Sequence, residues 1–306
     1  MKPKVGLALG AGGARGLAHL GVLKVLEKND IPIDFIAGTS MGAIVGAMYA
    51  QEPDADLLIA RIEEYLEHKD YEDLGLEKVV PEKDENPGFL SQFASSIGKR
   101  IVLNFAISKS SILNQKTLSS AIENLVQPGE IEDTKIPFCA VSTDLNTGQS
   151  EIMDSGNIRN AVQVSSSIPG FFPPCREDGK LLVDGGVTAP VPVDEAKAGN
   201  SDIIIGVSVG KRNFKPLEEV KLLDIMSRVQ HIKGGYLGKE QLKNADIMLE
   251  PDIGSGHWSE FLRYKEFIQL GVNKTQENIN GIKKCVKRNK SIIRRVWQCI
   301  KGIFNQ

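Results

Sequence analysis

Cysteine is scarce in this chain of 306 residues: Cys139, Cys175, Cys285 and Cys299 are widely spaced and form no CxxC pair. That argues against a disulfide framework or a structural zinc site and fits a reducing compartment. Long hydrophobic runs are missing too. The uncharged stretch Phe35 to Ala50 is too short to cross a bilayer and contains Thr39 and Ser40. The opening Lys2-Pro3-Lys4 and Val5 to Leu9 is too brief for a secretory signal and runs at once into glycines and Arg15. Nor is there a large charge of one sign. The formal net charge is −2, so composition implies no nucleic-acid partner. Histidine is limited to His19, His68, His231 and His257, which narrows the choice of a catalytic base. Together these absences lead to the expectation of a cytoplasmic protein without resident metal or cofactor.

What is present is an ordinary globular composition, 41% apolar and 25% charged, on a chain long enough for one large α/β domain. Lys4 to Leu9 reads as a short buried strand that enters the glycine loop Gly10-Ala11-Gly12-Gly13-Ala14-Arg15-Gly16. A helix is expected from Gly16 to Lys28 and a second strand from Asp34 to Ala37. Gly38-Thr39-Ser40-Met41-Gly42 reads as a tight turn, and a helix follows from Ala43 to Ala50. Strand–loop–helix–strand–turn–helix within fifty residues is the pattern of a parallel α/β sheet. Further strands are expected at Ile136 to Thr143, Leu181 to Val183, Ser201 to Val209 and Ala245 to Glu250. Residues 71–135 read as an insertion whose first part, Tyr71 to Ser111, is either a cap over the site or an ordinary helical insertion. The expected division is a catalytic core at 4–210, the remainder of that domain at 211–280, and a basic amphipathic tail at 281–306.

Gly-x-Ser-x-Gly occurs twice, so context has to choose. Gly206-Val207-Ser208-Val209-Gly210 lies in a β-branched run that continues into Lys211-Arg212-Asn213, and Ser208 is then a strand residue. Ser40 sits between a strand and a helix, where the flanking Gly38 and Gly42 leave space for a sharp elbow that presents the hydroxyl. The helix behind Ser40 favours developing negative charge. A Ser-Gly turn that merely caps a buried helix is the bland alternative. The loop at 10–16 could hold a dinucleotide, but its spacing departs from GxGxxG, with Arg15 at the third glycine position, and no acid ends the second strand. Its other reading is an oxyanion hole made by the N–H groups of Gly12 and Gly13, with Arg15 holding the loop or adding positive charge. Asp184 follows a strand and precedes Gly185-Gly186; this is either an ordinary turn or a base at the ligand-binding edge of a parallel sheet. The order Ser40, Asp184, His257 would also imitate an α/β-hydrolase triad, although Ser40 has one strand before its elbow where that fold has several.

Taken in order, the glycine loop, Gly38-Thr39-Ser40-Met41-Gly42 and Asp184-Gly185-Gly186 resemble the patatin-like phospholipase family. Val141-Ser142-Thr143-Asp144 and the run Ser165-Ser166-Ser167-Ile168-Pro169-Gly170-Phe171-Phe172-Pro173-Pro174 add to the likeness, which covers roughly residues 4–210; Ala11 departs from the glycine common there. The resemblance implies a three-layer α/β/α sandwich with a mainly parallel sheet, extended here by a C-terminal helix. It also implies metal-free hydrolysis of lipid acyl esters by a Ser–Asp dyad without histidine. Carried over, Ser40 is the nucleophile and Asp184 the base, with Gly12, Gly13, Arg15 and Met41 around the oxyanion. A free Asp is a weak base, so this chemistry needs Asp184 partly removed from water. An acyltransferase or thioesterase would use the same residues, and a non-catalytic regulatory protein on the same fold is the rival outside enzymes.

From Lys283 onward there are eight Lys and Arg and no acid; with the chain at −2 overall, the residues before the tail carry −10. Ile292, Ile293, Val296, Trp297, Ile300, Ile303 and Phe304 recur at helical spacing, with Arg294, Arg295 and Lys301 off that stripe. Residues 283–304 therefore read either as a helix resting on anionic membrane or as a packed terminal helix with a wet basic face. The choice between dyad and triad is open to a direct check. Replacing His257 with Ala leaves turnover nearly unchanged if Asp184 is the base, whereas a loss matching that of Ser40→Ala would restore the triad.

Overall fold

The computed structural model describes residues 3–67, 111, 113–210, 216, 222–254 and 259–304, the stretch from 288 as backbone alone. Most of the expected insertion's first part, together with His68 and His257, lies outside these residues. Eight strands among the described residues form one sheet: β1 (Val5–Leu9), β2 (Phe35–Thr39), β3 (Phe138–Asp144), β4 (Gln149–Met153), β5 (Cys175–Glu177), β6 (Lys180–Asp184), β7 (Ile203–Val207) and β8 (Ile247–Leu249). β3, β2, β1, β7 and β8 run parallel in that spatial order, while β4, β6 and β5 join antiparallel at the β3 end.

Strand alternation gives the two faces different jobs. In β1, Val5, Leu7 and Leu9 enter a large core, as do Ile203, Ile205 and Val207 of β7. That core is filled by α1 (Ala18–Lys28), α2 (Met41–Gln51), α3 (Ala55–Glu67), α4 (Gln115–Leu125), α5 (Ile158–Ser165) and α8 (Tyr264–Phe304). The opposite face carries small residues, Ala8, Ala37 and Cys139, and is covered by α6 (Val193–Ala198) and the end of α7 (Leu222–Leu242). The result is a three-layer α/β/α arrangement with one thick and one thin helical layer. Residues 113–135 pack into the thick layer through Leu118, Ile122 and Leu125 of α4.

Three sequence expectations are adjusted. The first helix does not start at Gly16: a 3₁₀ turn, Gly13–Leu17, precedes α1, a common way for a glycine-rich entry to tighten into a helix. β6 pairs antiparallel to β3, so Asp184 does not end a parallel strand. The basic tail continues α8 without a break at residue 281; Phe267, Thr275, Ile282 and Val286 anchor that helix by burial. Among the described residues no helix is long and apolar enough to cross a membrane.

α1 and α8 touch backbone to backbone. A Cβ at Gly21 would overlap the Ile268 carbonyl oxygen, and one at Gly271 would overlap that of Ala18. No side chain is there to yield. Gly21→Ala or Gly271→Ala is expected to destabilise the protein by ~1–3 kcal/mol, the usual range for overpacking. Urea unfolding would report this as a lower midpoint at constant slope, and an unchanged midpoint would show that the two helices part without cost.

Candidate active site

The site begins with how β3 shares one edge. β2 pairs with Phe138 to Val141 and stops at Thr39, opposite Val141. β6 takes the next places on that edge, with Asp184 opposite Ser142; β4 occupies the other edge over the same residues. The C-terminal ends of β2 and β6 therefore meet head to head, which sets Ser40 beside Asp184. Antiparallel β6 brings the carboxylate to the place expected of a parallel strand.

Ser40 is the single residue between β2 and α2. Its backbone sits at φ 57°, ψ −123°, a region costing a non-glycine residue ~1–3 kcal/mol. Neighbours hold it there. The Ser40 N–H donates to Ser165 Oγ at 3.0 Å, and that hydroxyl donates to the Val141 carbonyl at 2.6 Å. Thr39 Oγ1 donates to the Ala189 carbonyl at 2.8 Å. The turn also needs glycine at 42, because a Cβ there would overlap the Leu9 carbonyl oxygen. This contact locks the elbow against the end of β1, where the glycine loop starts. Gly38 lies under the first turn of α2, and Gly185 against Val141 and Thr39.

The Ser40 hydroxyl acts on the Asp184 carboxylate, favouring its charged form. Oδ1 of Asp184 also accepts the Gly186 N–H at 2.7 Å, and the Asp184 N–H donates to the Ser167 carbonyl at 2.9 Å. Both Ser40 and Asp184 are buried. Loss of water raises the Asp184 carboxyl to about 6, against the lowering effect of its Ser40 and Gly186 hydrogen bonds.

Side chains fix the loop at 10–13 by its carbonyls. His19 Nε2 lies 2.8 Å from the Gly10 carbonyl oxygen and donates to it, since a carbonyl can only accept; burial presses the imidazole down to about 4 and keeps it neutral. Arg15 Nε donates to the Gly12 carbonyl at 3.0 Å. Burial lowers that guanidinium to about 10, so it stays charged. In a trans peptide N–H and C=O point opposite ways, so tying the Gly12 carbonyl to Arg15 aims the Gly13 N–H away from it. The N–H groups of Gly13 and of Met41, first residues of their helical turns, have no partner within those turns. An apolar cleft joins these groups: Gly13, Ser40 and Met41 line it together with Ile62 and Leu66 of α3 and Leu118 of α4.

Of the residues singled out from sequence, Ser40, Asp184, Gly12, Gly13, Met41 and the glycines at 38, 42, 185 and 186 come together. Arg15 meets the loop through its carbonyl. Ser208 lies one residue beyond β7, its N–H donating to the Leu249 carbonyl, and is not brought to this group. Ser165 has a part that sequence does not reveal: nothing in the run from Ser165 to Pro174 says that its hydroxyl grips the Ser40 backbone.

A family model described as patatin-like phospholipase matches residues 7–197. The chain belongs to the patatin-like phospholipase family. An uncharacterized NTE family protein of Mycobacterium tuberculosis is 33% identical over 222 residues, which is 72% of this chain and 52% of that protein. A protein named lysophospholipase NTE1, from Pyricularia oryzae, is 28% identical over 292 residues, 87% of this chain and 18% of its own length. The chain thus spans about half the length of the mycobacterial relatives. VipD from Legionella pneumophila aligns with a TM-score of 0.40 and 13% identity, covering 92% of this chain and 67% of that one.

Within this patatin-like core, the state of the Asp184 carboxyl leads to a pH prediction. If that carboxylate accepts the Ser40 proton, it must be ionised to do so. The rate at which an organophosphonate labels Ser40 is therefore expected to rise with pH through about 6 and level off above it. A flat profile between pH 5 and 8 would detach Ser40 from this carboxylate.

Proposed function

We propose that the protein is a serine hydrolase of lipid acyl esters, phospholipids or lysophospholipids among them, working through a Ser40–Asp184 dyad. The observation that carries this reading is a strained, buried serine set beside a desolvated carboxylate at an apolar cleft. Family membership and the printed name of the fungal relative support the substrate class.

In this reading an ester enters with its acyl chain among Ile62, Leu66 and Leu118 and its carbonyl carbon at Ser40 Oγ. Asp184 takes the hydroxyl proton as Oγ bonds to that carbon. The carbonyl oxygen becomes an oxyanion, held by the N–H groups of Gly12, Gly13 and Met41. Collapse breaks the bond to the alcohol, and Asp184 returns the proton to the departing oxygen. Water then gives a proton to Asp184 as its oxygen attacks the acyl-Ser40 ester. Ser40 Oγ leaves, recovers the proton from Asp184 and frees the fatty acid. No metal takes part. Ser166 belongs to the same cleft: its buried hydroxyl has no hydrogen-bond partner among the described residues and lines the space a substrate would fill. The basic end of α8, residues 283–304, would hold the enzyme at anionic lipid as a peripheral cytoplasmic protein.

The test combines labelling with turnover. A fluorophosphonate probe is expected to label the wild type and Ser208→Ala but not Ser40→Ala. Asp184→Asn is expected to lower kcat/KM on lysophosphatidylcholine by ~10²–10⁴, the usual range for general acid–base catalysis, with an unchanged Tm. Retained turnover in Asp184→Asn ends the dyad. Labelling of Ser40 without fatty-acid release from any ester, but with transfer to an added alcohol or thiol, would make the protein an acyltransferase instead.

A further inference from the structure

Ser165 ends α5 and two more serines follow it, each with a different surrounding. The Ser165 hydroxyl accepts the Ser40 N–H at 3.0 Å and so steadies the backbone of the strained serine. The Ser167 carbonyl accepts the Asp184 N–H at 2.9 Å and so steadies the backbone of the carboxylate. The Ser167 hydroxyl is itself committed to the Gln163 carbonyl at 2.8 Å. Ser166 stands between the two with neither task. Its N–H donates to the Val162 carbonyl at 3.0 Å, and its carbonyl accepts the Ile168 N–H at 2.9 Å. Only its side chain is uncommitted. The residue is 4% exposed, and its hydroxyl meets no hydrogen-bond partner among the described residues. Buried polar atoms are nearly always paired, and an unpaired one calls for an explanation.

Position says where the partner comes from. Ser166 lines the apolar cleft that also holds Gly13, Ser40 and Met41. Its neighbours in the chain are the two residues that hold Ser40 and Asp184, and consecutive Cα atoms are only about 3.8 Å apart. A ligand atom bonded to the Ser166 hydroxyl in this cleft therefore lies a few bonds from a carbonyl carbon placed at Ser40 Oγ. Chemistry narrows that atom further. In the ester that reacts, the carbonyl oxygen goes to backbone N–H groups, and the bridging oxygen of an ester is a poor acceptor. An unsubstituted acyl chain has no oxygen to give. What remains close to the reacting carbon is an oxygen on the alcohol part, carried by the next carbon along, as in glycerol. A hydroxyl there both donates and accepts, as the serine hydroxyl does.

We propose that Ser166 determines specificity: its hydroxyl hydrogen-bonds the oxygen on the alcohol carbon next to the scissile ester, so the site selects esters of vicinal diols over plain alkyl esters. This inference rests on the Ser40–Asp184 hydrolase reading and adds to it which part of the alcohol is recognised. Against a substrate without that oxygen, a methylene covers the Ser166 hydroxyl and leaves it unpaired, which is a penalty on the wrong substrate.

The experiment compares two lipids with the same lauroyl chain and the same headgroup: lysophosphatidylcholine, with its free hydroxyl beside the ester, and 2-deoxylysophosphatidylcholine, which lacks only that hydroxyl. Fatty-acid release is followed for the full chain as wild type, Ser166→Ala and Ser166→Thr, with Tm as the check on folding. Wild type is expected to favour the hydroxyl-bearing lipid at least about tenfold in kcat/KM, the size of effect that an unpaired buried hydroxyl carries. Ser166→Ala is expected to bring the ratio close to one, and Ser166→Thr, which keeps the hydroxyl, to retain most of it. The ratio is the telling quantity, because a merely structural loss slows both lipids alike. Equal rates on the two lipids in wild type, or the same ratio in wild type and Ser166→Ala, overturn the proposal and leave the hydrolase standing. A preference that depends on Ser166 but appears only when the acyl chain is 3-hydroxylated also overturns it, by moving the hydrogen bond to the acyl side. Fatty-acid release from neither lipid, with Ser40 unlabelled by fluorophosphonate, removes the hydrolase reading and this inference together.

Discussion

The site depends on one constraint: two strands share a single edge of β3. β2 uses the edge as far as Val141, and β6 comes the other way and uses it from Ser142. Hydrogen-bond register along a strand allows no half-steps, so the end of β6 can face the end of β2 at one spacing only. A slip of one residue in either pairing would turn the side chains concerned to the other face of the sheet. The Ser40–Asp184 contact is thus set by the sheet and does not depend on two flexible loops finding each other.

What could be read from sequence was local. The elbow is encoded by five consecutive residues, in which glycine at 42 is demanded by the Leu9 carbonyl and the serine must leave a strand and begin a helix within one step. The glycine loop is also local, because its shape comes from missing side chains and from Arg15 and His19 a few residues on. Asp184 could be singled out by its neighbours Gly185 and Gly186, but the direction of its strand could not, since that is fixed by pairing with residues forty positions earlier. β4 and β5 went unread for a similar reason. Gln149–Met153 is largely polar and Cys175–Glu177 has three residues, so both owe their form to a neighbouring strand.

The two faces of the sheet divide the labour. Large side chains of β1 and β7 support the thick layer, which also forms the walls of the cleft at Ser40 through α3 and α4. The small residues Ala8, Ala37 and Cys139 let α6 and the end of α7 lie close on the other face. Thr188 to Val191 passes between Asp184 and the end of α7, where Gln241 binds the Thr188 carbonyl and the Val191 N–H.

Energetics decide which part of the site carries most of the proposed chemistry. Burial lifts the Asp184 carboxyl from 3.8 to about 6, which makes it a better base by roughly 3 kcal/mol at 1.36 kcal/mol per pH unit. That is real help, but a carboxylate in this range still lies far below a serine hydroxyl in basicity, so a proton shared with it cannot by itself produce an alkoxide. The deficit falls on the oxyanion donors, where a single well-placed donor is worth ~2.7–4 kcal/mol. Two or three of them exceed the gain at Asp184. On the proposed mechanism, the strain at Ser40 and the hold of Arg15 on the Gly12 carbonyl have one physical purpose: they would fix the donors and the nucleophile in place before the substrate arrives, so that little reorganisation remains for the reaction itself.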